Sequence, residues 1–285
     1  MTPVQSLIGL LDLEAMTPDR FRGHSPRLIT KRVFGGQVIA QALVAAQRTV
    51  EGRFVHSLHG YFMLGGQPEI PIDYVVERIR EGRSFATRRV SAMQNGAAIF
   101  TMAASFHIDE PGLHHAMPMP KVPEPESLPD TAEMIEKYLS DPDHPRHRFW
   151  ARPRAIELRP CHPESYFRRT PSAPAQHVWF RAASPLPEGR NLHAAILAYA
   201  TDMTLLDSAL VAHGKSVVDE DIQPASLDHA LWFHESFRAD EWMLYAQDSP
   251  WTGHARGLGR GLIYARDGRL IASTVQEGLV RQIGR

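Results

Sequence analysis

The second half of this chain repeats the first, and that repeat constrains its fold more than any other feature. Asp267-Gly-Arg-Leu-Ile-Ala-Ser-Thr-Val-Gln-Glu-Gly278 aligns without gaps on Asn95-Gly-Ala-Ala-Ile-Phe-Thr-Met-Ala-Ala-Ser-Phe106, turn dipeptide on turn dipeptide. Upstream, His254–Ile263 stands where residues 82–92 stood, Trp242–Gln247 matches 72–78, and Ser226–Phe233 echoes Ser57–Phe62. An apolar helix at 191–210 matches one at 36–50. Two copies of a helix followed by strands argue for duplication, and therefore for two similar α+β units. In each, an antiparallel sheet wraps around a central helix, and the two units sit side by side on one continuous sheet.

The local patterns agree with this plan. Residues 4–16 read as a short amphipathic helix, followed by a loop with Pro18, Gly23 and Pro26. Val33–Val50 is rich in alanine and apolar almost all round after Gly36, as a helix enclosed by other elements must be. From Val55 the period falls to two, giving strands through 56–62, 72–78, 84–92 and 97–106, with Asn95-Gly96 as a tight hairpin signal. Between Pro111 and Pro174 lie thirteen of the chain's 22 prolines. That stretch is a connector, with a short helix expected near 131–139 and a strand near 155–159; another strand follows at 176–182. The expected organisation is a first unit at 1–108, a connector at 109–174 and a second unit at 175–285.

The helix at 191–210 carries one polar anomaly. Leu192, Ile196, Tyr199, Met203, Leu206 and Leu210 form its apolar stripe, yet Asp202 points among Ala195, Ala198, Tyr199, Leu205, Leu206 and Ala209 on an ideal helix. A carboxylate buried there costs several kcal/mol unless hydrogen-bonded or paired. A solvated Asp at a helix bend, or a local cap, is the alternative reading of this residue alone. The repeat supplies a second anomaly, because Gln276 falls where the first copy has Ala104. If Ala272, Thr274 and Gln276 share the inner face of the last strand, Gln276 faces the central helix, and Ser226 at the opening of the preceding strand can join it. A carboxylate, a hydroxyl and a carboxamide then meet in an apolar cleft, where Asp can take a proton from water and the other two can orient that water.

Three separated motifs, Val33-Phe-Gly-Gly-Gln37, Ser226-Leu-Asp-His-Ala-Leu-Trp-Phe-His234 and Ser273-Thr-Val-Gln-Glu-Gly278, resemble the acyl-CoA thioesterase II family of double hotdog proteins. The resemblance runs from about Leu7 to Arg281. It implies a hydrolase that splits fatty acyl-CoA into fatty acid and coenzyme A, with Asp202 as general base and Ser226 and Gln276 holding the hydrolytic water. It implies no cofactor and no covalent acyl-enzyme, and a homodimer or homotetramer. Serine at 226, where the family also uses threonine, keeps the hydroxyl with a looser rotamer. Gly36 and Gln37, at a helix start, are candidate oxyanion donors, and Arg83, Arg88, Arg256 and Arg260 are candidate partners for the CoA phosphates. A non-enzymatic acyl-CoA sensor or carrier with the same fold is the competing function, though a mere binder has no need to bury Asp202. A hotdog hydratase would call for an Asp/His pair, and Asp228-His229, adjacent on a strand, reads as strand packing.

Other classes are disfavoured. With 31 basic against 32 acidic residues, there is no global nucleic-acid footprint. No Gly-x-Ser-x-Gly elbow occurs, and Gly257-Leu-Gly-Arg-Gly261 lacks the spacing of a dinucleotide fingerprint and reads as sheet packing. Histidines 114, 115, 144 and 147 lie in the connector without a matching carboxylate or thiolate cluster, so no metal is expected. His56 and His59 are alternative bases in the first unit, but strand histidines are more often structural. The single cysteine, Cys161, excludes an intramolecular disulfide, reads as inert, and fits a reducing compartment. An N-terminus unlike a signal peptide, no apolar run of membrane-spanning length and a terminal Ile-Gly-Arg complete the expectation of a cytoplasmic protein with no stable membrane association.

Overall fold

A computed structural model describes residues 1–26, 32–168 and 170–284; Arg285 of the terminal tripeptide lies outside it. The first half runs α1 (Pro3–Leu11), β1 (Glu14–Thr17), β2 (Arg20–Gly23), α2 (Gly35–Gln47), β3 (Phe54–Phe62), β4 (Ile72–Glu81), β5 (Phe85–Gln94) and β6 (Ala97–His107). The connector holds α3 (Thr131–Tyr138), α4 (Pro145–Trp150), β7 (Ile156–Pro160) and α5 (Pro163–Arg168). Then follow β8 (Ala175–Ala182), α6 (Arg190–Thr201), a 3-10 segment at Leu206–His213, β9 (Ile222–Ser226), β10 (Asp228–Phe233), β11 (Met243–Gly253), β12 (Arg256–Ala265) and β13 (Leu270–Gln282).

All described strands join one antiparallel sheet, in the order β1-β2-β4-β5-β6-β3-β10-β13-β12-β11-β8-β7, with β9 added alongside β13. The order reads the same from either end once β3 to β6 are matched with β10 to β13. The duplication is therefore a pseudo-twofold about the β3–β10 seam, where Leu231 lies opposite Leu58. Both hairpin signals act as turns: Asn95 and Gly96 take φ of 49° and 78°, and Gly268 takes 90°.

The two central helices lie against each other inside the curved sheet. Ile39 and Leu43 of α2 and Leu197 of α6 are fully buried, each contributing about 2–3 kcal/mol by removal from water. The closest approach is at Gly36, where a Cβ would lie 2.4 Å from the Tyr199 carbonyl oxygen. Glycine is required at that contact by space rather than by φ. The glycines of β12 serve the same end, since a Cβ at Gly257 would lie 2.5 Å from Ala209 Cβ and one at Gly259 2.8 Å from Leu205 O.

Two expected elements differ. The helix expected at 4–16 stops at Leu11, and the chain turns into the edge strand β1. The helix expected at 191–210 ends at Thr201, with Asp202 as its C-terminal cap, and resumes as the 3-10 segment. Thr201 Oγ1 lies 3.1 Å from the Ala198 carbonyl oxygen, one of two acceptors in its reach, and Ser208 Oγ donates to the Leu205 carbonyl at 2.7 Å. Such side-chain bonds compete with the regular ladder and tighten the backbone. The whole stretch 190–213 is long and apolar enough to cross a membrane by length and composition, but 78% of its most apolar window is buried inside the protein.

The connector straps the outer face of the second half. Trp179 Nε1 donates to Pro123 O at 2.9 Å, and Leu128, Cys161, Trp179, Trp242, Leu244 and Tyr264 form a small core beneath it. Its helix α4 brings Phe149 to the wall of the cavity described next.

Candidate active site

A cavity of about 460 Å³ opens between the halves. Val33, Phe34, Gly35, Val38 and Phe62 line it from the first half, and Asp202, Met203, Leu206 and Ser226 from the second. Its walls are largely apolar, with Arg32, Asp202, Asp207 and Ser226 as the charged and hydroxyl groups among them.

The structure brings the three sequence candidates together there. Asp202 arrives at the break after α6. Ser226 arrives as the last residue of β9, so it closes that short strand rather than opening β10. Gln276 sits on the inner face of β13, fully buried, and its alternation partners Ala272 and Thr274 are buried with it. Gln276 Nε2 donates to Asp202 Oδ1 at 2.6 Å and to Ser226 Oγ at 2.9 Å. Ser226 Oγ donates to the same Asp202 oxygen at 3.2 Å. Both amide protons are thereby engaged, so the carboxamide grips the acid and the hydroxyl instead of presenting an N–H to the cavity.

Asp202 keeps some accessible surface where it lines the cavity, while protein crowds its other sides. Burial raises its pKa from 3.8 to about 6, against the lowering effect of hydrogen bonds from Gln276, Ser226 and the Gly36 N–H. Its other oxygen, Oδ2, lies beside Gly35, where a Cβ would come within 2.7 Å. Glycine there leaves that oxygen unobstructed. A buried carboxylate gripped at Oδ1 by Gln276 and Ser226 and easily protonated is equipped to take a proton near neutral pH.

The remaining candidates are placed elsewhere. The Gly36 N–H is spent on Asp202 and the Gln37 N–H on the Phe34 carbonyl at 3.1 Å, so neither is a free oxyanion donor. Arg88 is fully buried and bonds Thr49, the carbonyls of Arg80 and Thr87, and Glu81; it is a structural cation. Arg256 pairs with Glu277 at 3.1 Å and Arg260 with Asp248 at 2.8 Å, both on exposed strand faces. None of these arginines, nor Arg83, borders the cavity. Among the described residues, the arginine that does is Arg32, which adjoins the Val33-Phe-Gly-Gly motif and is within reach of a sequence reading. His56 bonds Ser105 Oγ at 2.8 Å and His59 bonds Asp228 at 3.1 Å, both away from the cavity. Cys161 is buried with its thiol pushed up to about 12 by burial. Among the described residues no group of three potential metal ligands is gathered. One residue next to the site was read from sequence as mere packing: His229, fully buried, with Nε2 at 3.0 Å from Thr201 Oγ1.

The pseudo-twofold shows what became of the equivalent place in the first half. Gln47 occupies the position of Asp202, and its Nε2 donates to Asn191 O at 3.3 Å, as the Gly36 N–H meets Asp202. Ala104 stands for Gln276 and Val55 for Ser226. The space there, lined by Val55, Asn191, Ala194 and Phe233, is only about 10 Å³.

A family profile described as acyl-CoA thioesterase matches residues 152–279, and one described as acyl-CoA thioesterase N-terminal domain matches 24–107. Mouse acyl-coenzyme A thioesterase 8 is 42% identical over 283 residues, spanning 96% of this chain and 88% of that protein. Acyl-CoA thioesterase 2 of Haemophilus influenzae is 38% identical over 98% of both chains. The crystal structure of an acyl-CoA thioesterase II from Mycobacterium marinum superposes with a TM-score of 0.81 at 41% identity, covering 98% of this chain and 99% of that one. With a mirrored sheet, two enclosed helices and relatives matched end to end, the chain belongs to the acyl-CoA thioesterase II family and has its double hotdog fold.

Proposed function

We propose that this protein hydrolyses fatty acyl-CoA to free fatty acid and coenzyme A, with Asp202 as general base and with Ser226 and Gln276 holding the base and its water. The observation that carries the proposal is the meeting of Asp202, Ser226 and Gln276 beside a largely apolar 460 Å³ cavity that Asp202 and Ser226 line. The acyl chain lies along Val33, Phe62 and Leu206, and the thioester carbonyl sits near Asp202. A water on Oδ2 gives its proton to the carboxylate and attacks the carbonyl carbon; collapse of the tetrahedral intermediate then expels the CoA thiolate. Proton transfer of this kind accelerates hydrolysis by roughly 100- to 10,000-fold. The chain divides as 1–108, 109–174 and 175–285, with the connector strapped over the second half and lending it β7 as an edge strand. Self-association through the outer face of the β3–β10 seam is supported by Tyr61 and Trp232, exposed there by 53% and 41%. A single free cysteine, Cys161, accords with a reducing, cytoplasmic setting.

The test is thiol release from saturated acyl-CoAs of increasing chain length, with wild type and Asp202→Asn in parallel. Turnover by wild type and a loss of at least about 100-fold in the variant support the assignment. Binding without turnover would make the protein a carrier or sensor instead.

A further inference from the structure

Two of the buried polar atoms without a hydrogen-bond partner are His229 Nδ1 and Gln276 Oε1. They belong to neighbouring strands. β10 and β13 pair Ala230 with Val275, and one further step along that register sets His229 opposite Gln276, at the short separation of a cross-strand pair. Both side chains point inward. We propose that His229 is the positioning residue that fixes which way round the Gln276 carboxamide sits, by donating from Nδ1 to Gln276 Oε1. The proposal rests on the reading of Asp202 as the base.

The duplication shows that the two residues form a unit. In the first half the equivalent cross-strand pair is Leu58 opposite Ala104, both buried. One half thus has an apolar pair and the other a fully polar one, with His229 and Gln276 both at 0% exposure.

The hydrogen-bond inventory then sets the direction of each proton. Asp202 Oδ1, 2.6 Å away, requires a donor and so turns Gln276 Nε2 toward itself. Oε1 is left facing His229, and two acceptors cannot face each other there, so Nδ1 carries the proton. Nε2 of the ring must then accept. Thr274 Oγ1, 3.3 Å away, gives its proton to Ala230 O at 2.8 Å. Thr201 Oγ1 has one proton and two acceptors in reach, Ala198 O at 3.1 Å and Nε2 at 3.0 Å, and with Nδ1 protonated it is the hydroxyl left to supply Nε2. Burial lowers the His229 pKa to about 4, so the ring stays neutral and a single tautomer persists. The chain of donors runs Thr201 to His229 to Gln276 to Asp202. Without it the carboxamide is free to turn over and set Oε1 against the base.

The direct test is the tautomer. In wild type labelled with ¹⁵N-histidine, two-bond nitrogen–proton correlations should report His229 protonated on Nδ1; protonation on Nε2 would overturn the proposal whether or not the protein turns over acyl-CoA. The kinetic test uses His229→Leu, which copies the first half, and His229→Asn, whose amide reaches the Nδ1 position. The Leu variant should lose about 30-fold or more in kcat with KM changed by less than about threefold, and should add no loss in a Gln276→Ala background. The Asn variant should recover most of that kcat. Equal losses with and without Gln276, or an Asn variant as impaired as the Leu variant, would also overturn it. Should His229→Leu fail to fold, His229→Gln takes its place, since its amide reaches the Nε2 position and leaves Oε1 unpaired.

Discussion

Replacing Asp202 with asparagine should strengthen the fold while abolishing turnover. In the unfolded chain this carboxyl titrates near 3.8, and in the folded protein near 6, chiefly because burial disfavours the charge. The folded state therefore holds the proton more tightly, and stability is lost as pH rises through that interval. The full difference corresponds to about 3 kcal/mol above pH 7. Solvent at the cavity face and an asparagine N–H turned toward the Gly36 N–H reduce the gain to about 1–3 kcal/mol. For a chain of this length that raises Tm by about 2–6 °C. Urea titrations of wild type and Asp202→Asn at pH 8 and pH 4.5 provide the assay. The variant should be the more stable at pH 8, and its advantage should shrink to about a third at pH 4.5, where the wild-type acid is largely protonated when folded. A variant less stable at pH 8, or an advantage equal at both pH values, would refute the account of Asp202 as a buried, strained charge.

Further outcomes follow from the same geometry. The pH profile of kcat/KM should rise with pH to a half-maximum near 6, where Asp202 loses its proton, and stay flat above; a half-maximum beyond pH 8 would remove Asp202 as the base. Gly36→Ala places a methyl 2.4 Å from Tyr199 O and should cost about 1–3 kcal/mol by thermal unfolding, whereas Gly9→Ala, with nothing within 4 Å, should be neutral or slightly stabilising. Cys161, buried and pushed up to about 12, should react with a thiol reagent only after denaturation.

The periodicity and the repeat made most of the fold legible. The gapless match of Asp267–Gly278 to Asn95–Phe106 anticipates both hairpins and the mirrored sheet, because strand alternation and turn chemistry are local properties of the chain. Asp202 stands out because the helix surface around it is apolar, and Gln276 because the first copy has Ala104 at its position. The break in the helix after Thr201 was not legible, since it depends on where the Asp202 side chain is pulled by Gly36, Ser226 and Gln276, all distant in sequence. Arg88 misled for a similar reason. A strand arginine reads as solvated, but this one is enclosed by Thr49, brought in from the end of α2. His229 reads as packing in the sequence because its partners lie 28 and 45 residues away.

The closed space beside Val55, and the loss of a polar pair where Ala104 stands, have a consequence for how such a chain can change. In a symmetric pair of identical subunits every substitution appears twice, so neither cleft can be altered without altering the other. Joining the two units in one polypeptide removes that bond. Gln47 has become a brace between helices and Ala104 plain filling, while Gly35 and Gly36, encoded in the same half, still serve the working cleft across the seam. Each half has thus given up self-sufficiency. Separately expressed halves should show no turnover, and activity should return only when an intact first half, contributing its glycines, is recombined with the second.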